Sequence, residues 1–465
     1  MKLRNNVRSG ANAIGWSAMK QANARLDGCM RQLTSSDLAS LWTAQDALSE
    51  AIASAGLHFE GRPYPLCLRP LVIEADVASH IQSIAERFLP ALDIAAQLYC
   101  SDREVRDLFF PYDHLRPWII SLPKRRPIAT VCRLDGLFGS DGIYKIIETN
   151  TEGPGGVIQT GLAAHVWKTV SNPLTHGLSP SAYYQRFENH SNLLISELQS
   201  AYREETGCEL GTAAVVNYKG RFTNEVDWIV RGFEAAGIQA SLLDARALKR
   251  TARGLVGASG EPIQLVYNKL DVRDMMEATE CREYLAACAA QEVVSINPWI
   301  SQWVLADKAI LALLSDVRFH SNFTSEQVEL FAHHVPWTRL VFDGHTTDPY
   351  GKSVDLIEYI RDHRTTLVLK PTNATRGERV TIGRFTPPET WHAHLKAAAL
   401  SPCVVQEHVD ARRLTALNVR SRSVEEMAWG LDCYVFGGRL AGFHARASVD
   451  AVMNVGRNGI LLPVA

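Results

Sequence analysis

Long apolar runs are missing from this sequence. The longest are broken by charges, as in VLADKAILALL, which Asp307 and Lys308 interrupt. A membrane-crossing helix needs about 20 consecutive apolar residues, so no transmembrane span is expected. The N-terminal MKLRNNVRSGANAIGW has basic residues but lacks the apolar core of a secretory signal. The nine cysteines are scattered with no C-x-x-C pair. That pattern argues against a disulfide framework or a zinc site and for reduced thiols in a cytoplasmic protein. An excess of one charge sign is also absent: Lys and Arg number 48 against 50 Asp and Glu, a net charge of −2. Neither nucleic acid nor an anionic membrane is therefore expected as a partner. There is no internal repeat and no low-complexity linker. No G-x-G-x-x-G follows the strand-like run at Thr212, which argues against a dinucleotide-dependent oxidoreductase.

The 465 residues exceed what one hydrophobic core usually serves, so two or three subdomains are expected. From about Asp37 to Cys100 the spacing is helical, with Gly56 as a terminator and Pro90 as a break or kink. Strand-like texture begins at Ile128. After Gly211, TAAVVNYKG reads as a buried strand. Thr223 is a candidate cap for a helix whose Val226, Ile229, Val230 and Phe233 share a face, and IQASLLD follows Gly237 as a second strand. This is a β-α-β unit of parallel-sheet type. IQLVYNKLD and VVSIN supply further strands. Ser301 is a candidate cap for a helix carrying Lys308, and the remainder reads as α+β with antiparallel pairs.

ATVCRLDGLFGSDGIYKIIETN holds the first chemical signal. Asp141-Gly142 marks a two-residue hairpin turn. Such a turn sets Asp135 opposite Glu148 and Arg133 opposite Asn150, and strand alternation puts all four on one face. A bulge at Gly136 or Gly139 would spoil that register. Asp, Glu and Asn offer hard oxygen ligands of the kind Mg²⁺ takes together with substrate phosphates. The neighbouring arginine could hold a transferring phosphoryl group. The alternative is a solvated cross-strand charge ladder.

Four later stretches carry cations or polar breaks. Lys370 ends the apolar run TTLVLKP, and the small polar TNATRGE follows before a return strand from Arg379 and Val380. Backbone N–H groups of such a loop could wrap a triphosphate; the alternative is an ordinary hairpin with a snorkelling lysine. Lys308 falls on a helical stripe with Val304 and Leu311, either snorkelling or answering an anion. PCVVQEHVD is an apolar strand turning polar at Gln406 and Glu407, and Arg446 follows the apolar strand of GGRLAGFHARAS. Arg446 is a phosphate or carboxylate clamp, or one half of a surface ion pair.

The order of these stretches resembles the ATP-grasp superfamily, and specifically its circularly permuted branch that includes glutathionylspermidine synthase. The resemblance rests on Arg133-Leu134-Asp135, then Glu148-Thr149-Asn150, then VYNKLD, NPWISQWVLADKAILALL, LVLKPTNATRGERV, VVQEHV and GRLAGFHARAS. It covers about Ile128 to the C-terminus. It implies an α+β/α/β fold: a permuted ATP-grasp, a Rossmann-like domain preceding the grasp, and a helical N-terminal region. The implied boundaries are 1–125 helical, 126–204 metal-binding part of the grasp, 205–300 Rossmann-like, and 301–465 ATP-binding part.

It implies Mg²⁺ on Asp135, Glu148 and Asn150. It implies ATP phosphates on Lys308 and Lys370 beneath a flap containing Gly377. Adenine would lie at the Gln406–Glu407 strand end, on backbone groups of Glu407 and Val409, and Arg133 and Arg446 would stabilise the phosphoryl group in flight. The implied activity joins a small-molecule or peptide carboxylate to an amine through an acyl phosphate, releasing ADP and phosphate. A kinase with the same grasp and a non-catalytic nucleotide-binding scaffold are the rival readings. No amidase domain is expected ahead of the synthetase-like part, which would set the chain apart from the bifunctional members. Its DARRLTALNVRSRS has no counterpart and is expected as a disordered or substrate-facing loop.

Overall fold

The computed structural model describes residues 14–59, 61–175, 190–220, 223–276, 279–374, 377–456 and 458–465. It is a mixed α/β structure with one parallel and several antiparallel sheets. No described helix is long and apolar enough to cross a membrane.

The helical N-terminal region forms for local reasons. Thr34 caps the helix Ser35–Ser54 through a reciprocal bond with Asp37, and the helix buries Leu41, Gln45, Leu48 and Ile52 along one stripe. It stops at Gly56, whose φ of 71° suits a residue without a side chain. The next helix, Ala75–Ser101, runs through Pro90 without the expected break. An interior proline costs about 3 kcal/mol. Phe88, Leu89, Ala91 and Leu92 around it are all fully buried or nearly so, and each large one contributes about 1.5–3 kcal/mol. Packing therefore outweighs the lost backbone bond. A further helix, Ile14–Arg31, precedes the region assigned from periodicity, and its Asp27 accepts a bond from the Thr415 N–H.

The β-α-β unit forms as expected. Thr212–Asn217 and Gln239–Asp244 pair in parallel around the helix Thr223–Ala235. Leu265–Asn268 and Val294–Ile296 extend the sheet on the other side, also in parallel. The side chain of Thr223, and with it the proposed cap, lies outside the described residues.

Two antiparallel sheets hold the rest. In the larger, Val131–Phe138 lies between Tyr144–Asn150 and Ser423–Phe436, and Arg439–Ser448 and Ile460–Leu462 follow outward. Segments far apart in sequence thus share one face. In the smaller, Cys403–Glu407 lies between Thr338–Leu340 and Leu367–Pro371, with Thr381–Ile382 at the edge. The return strand is thus later and shorter than expected, and Arg379 instead takes a φ of 54° in the turn. The supposed loop after Asp410 is ordered: Arg413–Asn418 pairs with the long strand Ser423–Phe436. Its basic side chains are occupied, Arg420 by the carbonyls of Val455 and Gly459 and Arg422 by Asp46.

Candidate active site

The hairpin reaches the expected register by an unexpected route. The turn is wider than two residues, so Phe138 faces Tyr144 and Gly136 faces Ile146. An irregularity between Asp135 and Gly136 then leaves Ile147 unpaired and shifts the register by one. Beyond it Asp135 faces Glu148 and Arg133 faces Asn150. A bulge beside Gly136 therefore restores the pairing it was expected to spoil. Gly136 is required there, because a Cβ would collide with the Tyr144 ring.

All the candidate residues line one cavity of about 870 Å³: Arg133, Asp135, Glu148, Asn150, Lys308, Lys370, Gly377, Gln406, Glu407, Val409 and Arg446. At its floor charges alternate. Asp135 accepts from Arg133 Nε at 2.7 Å, from Asn150 Nδ2 at 2.7 Å and from Arg446 Nη2 at 2.8 Å. Asp432, which the sequence reading missed, holds Arg446 from the other side at 2.8 Å. Burial alone would raise the Asp135 carboxyl, but Arg133 and Arg446 carry it well below the usual range. Burial pushes Asp432 up, and the Asp135 charge beside it adds to that. Both guanidiniums are held firmly charged by these carboxylates.

The two lysines sit above this floor. Lys308 is not inside a regular helix. A π-helical turn spans Ser301–Leu305, an α-helix begins at Ala309, and Lys308 lies at the join. Ser301 is accordingly no cap; it is buried, and its carbonyl accepts from Thr151. Freed from the apolar stripe, Lys308 reaches Glu148 at 2.8 Å and the Ala374 carbonyl at 2.6 Å. Burial lowers its pKa, but Glu148 and Asp307 more than offset this. Lys370 ends its strand against Gln406 Oε1 at 2.6 Å, and burial, with Lys308 adding, pulls it down to about 8.

Gly377 has a φ of 68°, and a Cβ there would approach Val452 to 2.7 Å, so the loop after Lys370 packs on the segment following Arg446. The Glu407 N–H is already spent on the Trp337 carbonyl at 2.8 Å.

The oxygen-donor set can be tested against Mg²⁺. Among the described residues no three His, Cys, Asp or Glu side chains are arranged to hold a metal ion. Two carboxylates and an amide fit Mg²⁺ only with waters and substrate phosphates completing its shell, which is its usual habit. Glu148 is the open member, its side chain 27% exposed against 3% for Asp135. The residues present fit the ion on those terms.

The cavity also includes groups with no motif. Phe59 and Tyr64 bring the helical N-terminal region into its wall. Glu152 lies beside Glu148 and Asp271, and burial with the Asp271 charge pushes it up to about 8. Lys269 is consumed structurally: it bonds Glu225 at 2.9 Å and the Pro154 carbonyl at 2.6 Å. Glu225 in turn accepts the N–H groups of Gly156 and Ile158, tying the loop after Asn150 to the helix Thr223–Ala235.

No family model matches the chain, and no curated protein does. Among solved structures it is similar to D-cycloserine synthetase DcsG, at 14% sequence identity over 54% of this chain and 90% of that one, with a TM-score of 0.24. Similarity at that level bears on neither substrate nor residue roles.

Proposed function

We propose that the protein is an ATP-dependent carboxylate–amine ligase of the ATP-grasp type, forming an amide through an acyl phosphate. The observation that carries this reading is the convergence of Lys308, Lys370, Arg133 and Arg446 with Asp135 and Glu148 in one cavity. Phosphoryl transfer needs positioning and charge neutralisation more than a covalent protein group. Four cations facing two carboxylates meet that need, and the reading assigns no step to a cysteine or histidine.

In this reading the triphosphate lies along Lys370 and Lys308, displacing Glu148 from the latter. Mg²⁺, held by Asp135, Glu148 and Asn150 with the phosphates, would neutralise phosphate charge and orient the γ-phosphoryl group. A substrate carboxylate oxygen attacks the γ-phosphorus, the bond to the β-bridging oxygen breaks, and ADP leaves. Arg133 and Arg446 stabilise the charge spread over the transferring group. The amine nitrogen then attacks the acyl carbon, phosphate departs with the C–O electron pair, and the nitrogen loses a proton. The loop containing Gly377, closed on Val452, would exclude water from the acyl phosphate. Adenine would rest at the Gln406–Val409 end. Because the Glu407 N–H is taken, Val409 is the assigned backbone donor.

Isotope transfer tests this. With an acid substrate labelled with ¹⁸O in its carboxylate, a ligase passes one ¹⁸O to the released phosphate. Label retained in a phosphorylated product would establish the kinase reading instead.

A further inference from the structure

Asp432 has no part in the reaction just described, yet it is fully buried beside Asp135. A second carboxylate there is costly unless it is paired, because desolvation and the Asp135 charge both oppose it. Its contacts show what it is paired for. Oδ1 accepts from Arg446 Nη2 at 2.8 Å and from the Gly136 N–H at 3.2 Å. Oδ2 lies 2.8 Å from Arg446 Nε and 4.0 Å from Arg133 Nε as ion-pair contacts, with hydrogen-bond geometry to neither. Asp432 faces His444 across the strand pair, two positions from Arg446. It therefore holds the guanidinium from the neighbouring strand by one hydrogen bond at Nη2 and by a charge contact at Nε. Nη2 is shared with Asp135, and Nη1 makes one long bond, 3.4 Å, to the Met453 carbonyl at the cavity wall.

Without Asp432 the fork of Arg446 would have one anionic partner, Asp135. A planar guanidinium prefers to meet a carboxylate with two parallel N–H bonds. Arg446 would turn onto Asp135, crowding the carboxylate that Arg133 and Asn150 already hold. We infer that Asp432 is a positioning residue: its hydrogen bond at Nη2 and its charge beside Nε hold Arg446, so that this arginine keeps a single N–H on Asp135 and presents Nη1 to the cavity and its phosphate ligand. This rests on the reading above for the role of Arg446 and names a residue that reading did not use.

The test turns on a sign. Removing a carboxylate from an anion site strengthens anion binding if only net charge counts. A positioning role gives the opposite result. Inorganic triphosphate binding to the full chain is measured by calorimetry for wild type, Asp432→Asn, Arg446→Gln and the double variant. The expected outcome is about tenfold weaker binding for Asp432→Asn, the size of one lost charge-assisted hydrogen bond. No further loss is expected when it is added to Arg446→Gln.

Binding of Asp432→Asn as tight as wild type or tighter overturns the inference, and so does full additivity with Arg446→Gln. If Asp432→Asn does not fold, Asp432→Glu keeps the charge and moves it by one methylene. Positioning then requires weaker binding, and unchanged affinity overturns the inference. Absence of triphosphate binding in wild type removes the phosphate role of Arg446 and the inference with it. Failure of the ligase reading alone looks different: triphosphate binds and the two residues couple, but no acid elicits ADP.

Discussion

Arg446 donates to Asp135 across 2.8 Å although 311 positions separate them in the chain. The strand Ser423–Phe436 makes this possible by pairing with both of their strands. One consequence concerns stability. Asp135 is buried between two guanidiniums that would lose their shared partner, so Asp135→Asn should cost about 3–5 kcal/mol of folding stability as well as ATP turnover. Glu148→Gln, at a more open position, should abolish turnover at a smaller cost in stability, because its amide oxygen can still accept from the buried Lys308. Chemical denaturation of both variants beside an ADP-release assay checks this. Equal, small stability changes in the two would contradict the account of the floor.

Lys370→Ala should weaken Mg-ATP binding about 10- to 100-fold, the worth of one charge-assisted contact to phosphate. The variant should stay folded, since the lysine is buried against its own preference. Titration calorimetry with Mg-ATP reads this directly, and unchanged affinity would remove Lys370 from the phosphate site.

The pH dependence follows from the same lysine. Burial holds its free-state pKa near 8, below its ordinary value. A phosphate partner favours the ammonium form and raises that pKa. Binding must then take up a proton above about pH 8, and affinity should fall as pH rises, by up to tenfold per unit. Calorimetry in two buffers of different ionisation enthalpy at pH 8.5 should report net proton uptake, which Lys370→Arg should abolish.

Lys269 also lines the cavity but belongs to the framework. Its ammonium is consumed by Glu225 and two backbone carbonyls, and the pair is almost fully buried, at 4% and 6% exposure. Lys269→Ala should therefore lower stability by about 3–5 kcal/mol. Triphosphate affinity should change little in whatever fraction remains folded. Thermal melts beside triphosphate titrations separate it from Lys370.

Much of this site was legible because the strand period and the order of short motifs are local properties. The pairing of Asp135 with Glu148 was recovered although the turn was assigned too tight. The extra turn length and the unpaired Ile147 compensate one another, and no sequence rule couples them. Asp432 was missed, yet WGLDCYVF carries a signal: a lone acid inside an apolar strand must find a partner. Lys308 was placed on a helical stripe because periodicity does not reveal a π-helical turn. The cavity contributions of Phe59 and Tyr64 left no trace, because they depend on how the N-terminal helices pack rather than on any local pattern. The same holds for the Glu407 N–H, whose partner Trp337 lies 70 positions away, just before the strand Thr338–Leu340.

The most direct measurement is ADP release from Mg-ATP with hydroxylamine as the amine, across a panel of amino acids, short peptides and glutathione. The account requires that at least one acid elicit ADP and the matching hydroxamate in equal amounts, and that Glu148→Gln abolish both. ADP formed with a stable phosphorylated product and no hydroxamate, or ATP bound without turnover across the panel, would contradict it.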